Sequence, residues 1–403
     1  RVAALREVMK RENLGAFIFP STDAHNSEYV AEHWKGREWI SGFDGSAGVA
    51  VVTMQGAALW TDSRYFLAAE KQLGGTEFQL MKLKIPGTPT VAEWIGGQLD
   101  GNGEVGVDGT VNSYSFVENL ISDLRHEGGI TVRLNFDPLK SIWKDRPLIP
   151  NSKVAIQPLE YTGEDTEHKI IRIKNELRKM HCDGMLVSAL DDIAWILNLR
   201  GTDVHCNPVF VSYLLIQESN VTLFINKEKL TSEVEKYLES QKISIQEYDN
   251  VAAYLKRKYF AYNILLDPDE TNSYMVAQVD KEKTKVVFAK SPVPTMKAVK
   301  NAAEINGFHA AMLRDGVAMV KFLKWLKPAV EAGSETEMSL DKKLTGLRAE
   351  QKLFKDISFD TIVGYEQHGA IVHYEATEET DIPVKPSGLV LIDSGAQYQD
   401  GTT

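Results

Sequence analysis

One local pattern occurs twice in this 403-residue chain, and it limits the fold more than any other feature. Val2, Leu5, Val8 and Met9 recur at helical spacing up to Gly15. A strand, Ala16-Phe17-Ile18-Phe19, then runs to Pro20-Ser21-Thr22-Asp23. Further along, Ile171, Ile173, Leu177 and Met180 lead through Asp183-Gly184 into Met185-Leu186-Val187. That second strand ends at Ser188-Ala189-Leu190-Asp191-Asp192. The interval from glycine to acid is the same in both places, Gly15 to Asp23 and Gly184 to Asp192. Later apolar runs also correspond, at 57–60 and 221–225. Helix, glycine and strand in succession are common in α/β proteins. Their return with one internal spacing points to a duplicated domain, not a solenoid. Within the first copy, apolar runs at 48–52 and 105–108 alternate with a helical pattern at 114–124. This alternation predicts a layered α/β domain.

A different segment follows Pro292 and Pro294. Ile305, Phe308, Met312, Met319, Leu323 and Leu326 share one face of a long helix. Ser334-x-x-Glu337 reads as a capping box that opens a second helix, with Leu340, Leu344 and Leu347 facing inward. Short strands are expected at 358–363, 371–374 and 388–392. Two helices and three strands do not close a sheet core alone, so this domain reads as incomplete at Thr403. At roughly 150 residues per domain, the length accommodates three. The expected divisions are 1–150, 151–295 and 296–403, with Pro147, Pro150 and Pro158 marking the first boundary.

Composition excludes several classes of function. Apolar residues are 43% and charged residues 25%, which rules out disorder, collagen and coiled coil for the whole chain. No apolar run approaches the ~18 residues of a membrane span. A net charge of -11 without a basic block disfavours nucleic acid or an anionic membrane as partner. Cys182 and Cys206 are the only cysteines, too few for a disulfide scaffold or a zinc-cysteine site. A reducing cytoplasm fits best, and the first 30 residues carry no signal-peptide pattern. Arg1 in place of an initiator methionine suggests that residues upstream are absent.

Three side chains are candidates for chemistry, each with a bland alternative. Asp393 ends the aliphatic run Leu389-Val390-Leu391-Ile392. It is either a turn residue capping a backbone N–H, or a hard-metal ligand held by a buried strand. His373, in Gly369-Ala370-Ile371-Val372-His373-Tyr374, is either a hydrogen-bonded core residue or an oxyanion donor and proton shuttle. Arg64, in Trp60-Thr61-Asp62-Ser63-Arg64-Tyr65, is either half of a surface ion pair or a clamp on a carboxylate or peptide carbonyl. Asn198-Leu199-Arg200-Gly201 needs only helix capping to explain it. The glycine-rich 42–48 stretch lacks the Lys and Ser/Thr of a phosphate loop. Neither His-Glu-x-x-His nor Gly-x-Ser-x-Gly occurs.

Taken in order, six strings resemble the aminopeptidase P family of X-prolyl aminopeptidases, in its long three-domain cytosolic form. They are Gly42-Phe43-Asp44-Gly45-Ser46-Ala47-Gly48, Trp60-Thr61-Asp62-Ser63-Arg64-Tyr65-Phe66, Ile193-Ala194-Trp195-Ile196-Leu197-Asn198-Leu199-Arg200-Gly201, Asn207-Pro208-Val209-Phe210, Gly369-Ala370-Ile371-Val372-His373-Tyr374 and Leu391-Ile392-Asp393-Ser394-Gly395-Ala396-Gln397-Tyr398. The resemblance spans essentially the whole chain. It implies an α/β (α+β) protein with two creatinase-like N-terminal domains followed by a pita-bread metallopeptidase domain.

The resemblance also implies removal of an N-terminal residue that precedes proline, by water activated at two divalent ions, usually Mn²⁺. Of five metal ligands in the family (two Asp, one His, two Glu), Asp393 matches the first and the others would lie beyond Thr403. His373 would stabilise the oxyanion, and Arg64 would reach the substrate peptide. A homodimer formed through the C-terminal domain is implied as well. Two rival readings remain at this point. One is a pita-bread binding module without catalysis. The other is a creatinase-like hydrolase, against which the additional N-terminal domain argues.

Overall fold

The computed structural model describes residues 1–134, 136–257 and 261–403. These form two compact units: residues 1–155, 166–204 and 208–297 in one, and 156–165, 205–207 and 298–403 in the other.

The first unit contains two six-stranded sheets. In one, β1 (Ala16–Phe19), β2 (Val49–Thr53), β3 (Ala57–Thr61), β4 (Phe78–Lys82), β5 (Asn102–Val107) and β6 (Gly129–Arg133) lie in the order β4-β3-β2-β1-β5-β6. In the other, β7 (Gly184–Val187), β8 (Ser212–Gln217), β9 (Val221–Ile225), β10 (Ile243–Gln246), β11 (Asn263–Leu266) and β12 (Lys285–Phe288) lie in the order β10-β9-β8-β7-β11-β12. Both orders are the same permutation. The first strand of each copy is central, antiparallel to its second and parallel to its fifth. Duplication is therefore visible in the topology.

The shared interval from glycine to acid is nevertheless off by one residue. Ala16 pairs with Val105 and Gly184 with Ile264, so these two residues are equivalent. The counterpart of Gly15 is Asp183: their N–H groups donate to Glu104 O at 2.8 Å and Asn263 O at 3.0 Å. Each copy needs its residue for a different reason. A Cβ on Gly15 would lie 2.7 Å from the Leu99 side chain. Asp183 instead accepts hydrogen bonds from the backbone N–H groups of Tyr262 at 3.1 Å and Asn263 at 2.7 Å. Nor does glycine end the preceding helices. Asn13 and His181 make those turns, with φ of 56° and 55°, in the left-handed region that Asn and His tolerate better than most residues.

Alternate residues of β1 feed two cores, as the strand period requires. Phe17 and Phe19 pack with Leu5 and Met9 of helix Val2–Arg11. Ala16 and Ile18 pack with Ile95, Val117, Leu120 and Leu124 of helices Val91–Gln98 and Tyr114–His126. With both faces covered, such a strand is apolar throughout rather than alternating. The two copies meet at equivalent helix caps. Ser113 and Asn272 each cap a helix and form an antiparallel bridge with one another. Tyr114 N donates to Thr271 O and Ser273 N to Asn112 O. His25 is buried nearby, its ring nitrogens 2.9 Å from Ser188 O and 3.0 Å from Tyr248 Oη. Burial lowers its pKa, so the ring stays neutral.

The second unit has a long helix, Ala302–Ala332, a second helix, Glu337–Ala349, and two two-stranded sheets. β13 (Phe354–Ile357) pairs with β16 (Ala396–Tyr398), and β14 (Ile362–Tyr365) with β15 (Val390–Asp393). Arg348 and Asp315 form a buried two-point ion pair at 2.8 and 3.0 Å. Tyr398 Oη donates to the same carboxylate at 3.1 Å. This network ties both helices to β16.

Several sequence expectations fail in this unit. The long helix buries Gly307, Ala311, Asp315, Ala318 and Phe322, whereas Ile305, Phe308, Met312 and Leu323 are exposed. The helix is apolar on more than one side, and small residues win the inward face by permitting close approach. A Cβ on Gly307 would lie 2.0 Å from Asp400 O. The second helix is capped by Thr336 and Ser339 instead of Ser334 and Glu337. The expected strand at 371–374 is a turn, because His373 has a φ of 58° that no strand accepts. The strand expected at 358–363 is displaced into β13 and β14.

Candidate active site

Asp393 is the last residue of β15 and pairs with Ile362 of β14. The strand before it is not buried as its four aliphatic residues suggested. Leu389 is 82% exposed, Leu391 is 46% exposed, and Asp393 itself faces solvent. β15 has one hydrogen-bonded neighbour, β14. What the structure retains is an accessible carboxylate at the end of a hydrogen-bonded strand.

His373 lies in the same unit, in an exposed turn after the short 3₁₀ segment Glu366–Ala370. Exposure removes the reading in which it is a core residue. The 3₁₀ segment folds tightly back on β14, and a Cβ on Gly364 would lie 2.8 Å from Gly369 N. Glycine at 364 thus allows the backbone to approach. Arg64 belongs to the first unit, just past β3. Its guanidinium binds Asp62 at two points, 2.9 and 2.8 Å, and lies over the Tyr65 ring. That hydrogen bonding holds the Asp62 carboxyl below its usual range. The ion pair of the bland reading is therefore present, and an exposed pair of this kind contributes little stability.

One residue essential to the geometry was not found from sequence. Glu337 is wholly buried in the first turn of its helix. It accepts hydrogen bonds from Tyr365 N at 2.7 Å and Tyr374 Oη at 2.9 Å. His368 Nδ1 lies 3.0 and 2.9 Å from its two oxygens. The helix N-terminus also favours a carboxylate there. Glu337 thus pins the chain at His368 and Tyr374, on both sides of His373. Burial raises the Tyr374 hydroxyl to about 12, so it remains a donor. The motif Ser-x-x-Glu disguised this residue as a helix cap. Its true partners lie about thirty residues away, and local spacing cannot reveal them.

The arrangement supplies one hard oxygen donor and one imidazole beside a rigidly held turn. A carboxylate suits a hard divalent ion, so Asp393 fits as one ligand of a metal centre. Two adjacent divalent ions need further carboxylates to balance their charge.

Comparison with known proteins agrees with this organisation. Residues 1–133 and 145–304 each match a Creatinase/Prolidase N-terminal domain, and residues 306–403 match metallopeptidase family M24. The chain is 37% identical to Xaa-Pro aminopeptidase 1 of Dictyostelium discoideum, over its whole length and 65% of that protein. It is 38% identical to a probable Xaa-Pro aminopeptidase P of Paracoccidioides brasiliensis, covering 67% of it. It thus spans about two thirds or slightly less of these curated relatives. The crystal structure of a Caenorhabditis elegans X-prolyl aminopeptidase, described as cytosolic with a di-nuclear active site, superposes with a TM-score of 0.92 at 31% identity. That match covers all of this chain and 68% of the other. Two creatinase-type domains followed by a pita-bread metallopeptidase domain, with these relatives matched along the whole of this chain, establish that the chain belongs to the Xaa-Pro aminopeptidase family.

Proposed function

We propose that the intact protein is a metal-dependent aminopeptidase that releases an N-terminal residue from peptides with proline in second position. Family membership and Asp393 at the end of β15 carry this reading. The proposed cofactor is a pair of divalent ions; Asp393 offers a hard oxygen donor that suits such ions, and Mn²⁺ is proposed on the resemblance of the motifs. A cytosolic location is supported by the description of the nematode relative. No helix among the described residues is long and apolar enough to cross a membrane. A homodimer formed through the C-terminal domain rests on the resemblance of the motifs. The proposed domains are 1–150, 151–295 and 296–403, and matches to two N-terminal domains and one catalytic family support a threefold division.

When bound, a dinuclear centre supplies Lewis acidity, acidifying water and polarising a carbonyl. The chain's own residues do the rest. Asp393 holds metal by its carboxylate. His373 donates an N–H to the carbonyl oxygen of the residue before proline as negative charge develops there, a role that favours the transition state over the substrate. The Glu337 contacts with His368 and Tyr374 keep this turn in place, so little reorganisation is needed. Arg64 can exchange its exposed contact with Asp62 for a peptide carbonyl or carboxylate at small cost. Proline in second position has no N–H and a fixed φ, so a pocket shaped for its ring can select it. The test is hydrolysis of Arg-Pro-Pro peptides with Mn²⁺ and with a chelator. Cleavage only with metal is expected; equal cleavage in both samples, or none with Mn²⁺, overturns the reading.

A further inference from the structure

A second group of metal-binding side chains includes neither Asp393 nor His373, although Asp360 lies two residues from Ile362, the strand partner of Asp393. His205 and Cys206 come from a short segment preceding β8, and Asp360 from the loop between β13 and β14. All three belong to the same compact unit. Their donor atoms lie within 4.8 Å of one another, and this is the one group of three or more such side chains found among the described residues. His205 Nε2 is 2.7 Å from Asp360 Oδ1.

We propose that His205, Cys206 and Asp360 form a three-ligand site for a borderline divalent cation such as Zn²⁺, with a ligand set that does not include Asp393. The cysteine count argues against a zinc-cysteine site, but one thiol joined by a nitrogen and an oxygen donor lifts that objection and suits an ion of that class better than Mg²⁺ or Ca²⁺. Three protein ligands with a water in fourth position are a familiar tetrahedral set. Bonds of ~2.0–2.3 Å need donors roughly 3.3–3.8 Å apart in that geometry, so the observed spread requires only small side-chain movements. Two of the three donors are on exposed side chains that can make them.

The backbone favours the same grouping. Cys206 has a φ of 61°, and its carbonyl accepts from Gln397 Nε2 at 3.0 Å, fixing the turn that presents the thiol. The surroundings oppose a bare thiolate and carry negative charge that a cation would answer. Burial pushes the Cys206 thiol up to about 12, and the charges of Asp360, Asp356 and Glu375 push the same way. A divalent ion reverses that balance by answering the local negative charge. Binding then breaks the S–H bond, forms a metal–sulfur bond and releases one proton to solvent. One His and one Cys adjacent in sequence, with Asp360 far along the chain, also means that the ion would tie the 205–207 segment to the β13–β14 loop.

The test uses cobalt, because thiolate ligation to Co²⁺ gives a near-ultraviolet charge-transfer absorption that carboxylate and imidazole ligands do not. Only two thiols exist in the sequence, so a band has two possible sources. Chelator-treated protein titrated with Co²⁺ should develop this band, reaching the intensity of one thiolate-bound Co²⁺ per chain. Cys206→Ser should abolish it and Cys182→Ser should leave it intact. His205→Gln and Asp360→Asn, both at exposed positions, should each weaken Co²⁺ binding by at least about tenfold. If Cys206→Ser does not fold, the two exposed variants decide the matter through the affinity alone. Absence of the band at saturating Co²⁺, its persistence in Cys206→Ser, or unchanged affinity in both exposed variants overturns the site. Peptidase activity is not a readout here, so failure of this proposal leaves the catalytic reading untouched.

Discussion

Strands β1 and β15 are both four residues long and both draw on apolar runs, and they meet opposite fates. Every residue of β1 is buried between two helical layers, with a hydrogen-bonded neighbour on each edge. β15 has one neighbour, its burial alternates between half and none, and Leu389 beside it is largely in solvent. Apolar content therefore states that a segment has something to bury. It does not state against what. In the first unit one covering layer is encoded nearby, by helix Val2–Arg11, and the other by helices Val91–Gln98 and Tyr114–His126 later in the same domain. In the second, a core around Phe322, Leu340 and Leu344 is joined by buried polar groups, Glu337 and the Asp315–Arg348–Tyr398 network, whose partners lie far apart in sequence.

The sharpest test of this contrast is Asp393→Asn, which removes a negative charge at nearly constant volume. In the intact protein peptidase activity should disappear and bound metal should fall, while the unfolding transition of the first unit is unchanged. Normal metal content and activity would remove Asp393 from the site. Next in size, Asp315→Ala leaves Arg348 buried and unpaired, a loss of about 3–5 kcal/mol. Calorimetry should show the second unit melting earlier with the first unaffected; a common shift of both would break the comparison. His373→Ala should lower kcat by about 10²–10³, equivalent to ~2.7–4 kcal/mol. Its melting temperature should hardly move, since the side chain is exposed and no core cavity forms. A large melting shift with near-normal kcat would return His373 to a structural role.

The smallest effect belongs to the first unit. Burial raises the Glu270 carboxyl from 4.5 to about 8, and Asp192, Asp267 and Asp191 add to this while Lys290 opposes it. A carboxyl raised in the folded state binds its proton more tightly there than when unfolded. Its contribution is therefore complete below about 4.5 and is lost as pH rises through about 8. Glu270→Gln should flatten the decline in stability across that window. An identical pH profile in the variant would mean that other groups cause it.

Most of the first unit was legible in sequence, because its signals are local. Leu5 and Met9 fall at helical spacing, and Phe17 and Ile18 sit in a continuous apolar run that a doubly covered strand requires. The reading slipped by one residue where Gly15 and Asp183 serve the same place by different chemistry. In the second unit, local signals served only in part: Leu340, Leu344 and Leu347 are buried as expected, but the long helix buries another face. The long helix offers two apolar faces, and a hydrophobic pattern cannot rank Leu323 below Ala318. His373 was identified as a residue of interest, but its turn was not, since positive φ at a histidine leaves no spacing signature. Glu337 and the His205–Cys206–Asp360 group depend on contacts between residues far apart in the chain, for which a single sequence has no periodic trace.

The strand order shared by both copies also bears on how the chain is made. In each, the strand synthesised first becomes the centre of the sheet, and one of its edges is reserved for the fifth strand. Phe17 must wait for Gly106, and Met185 for Leu265. At ribosomal speeds of roughly 5–20 residues per second, that wait is on the order of ten seconds. During it, an entirely apolar strand has an open edge in a crowded cell, which is the circumstance in which chains aggregate or recruit chaperones. The duplication therefore doubles a delay as well as a domain, and nascent chains should be most vulnerable just before β5 and again just before β11 leave the ribosome.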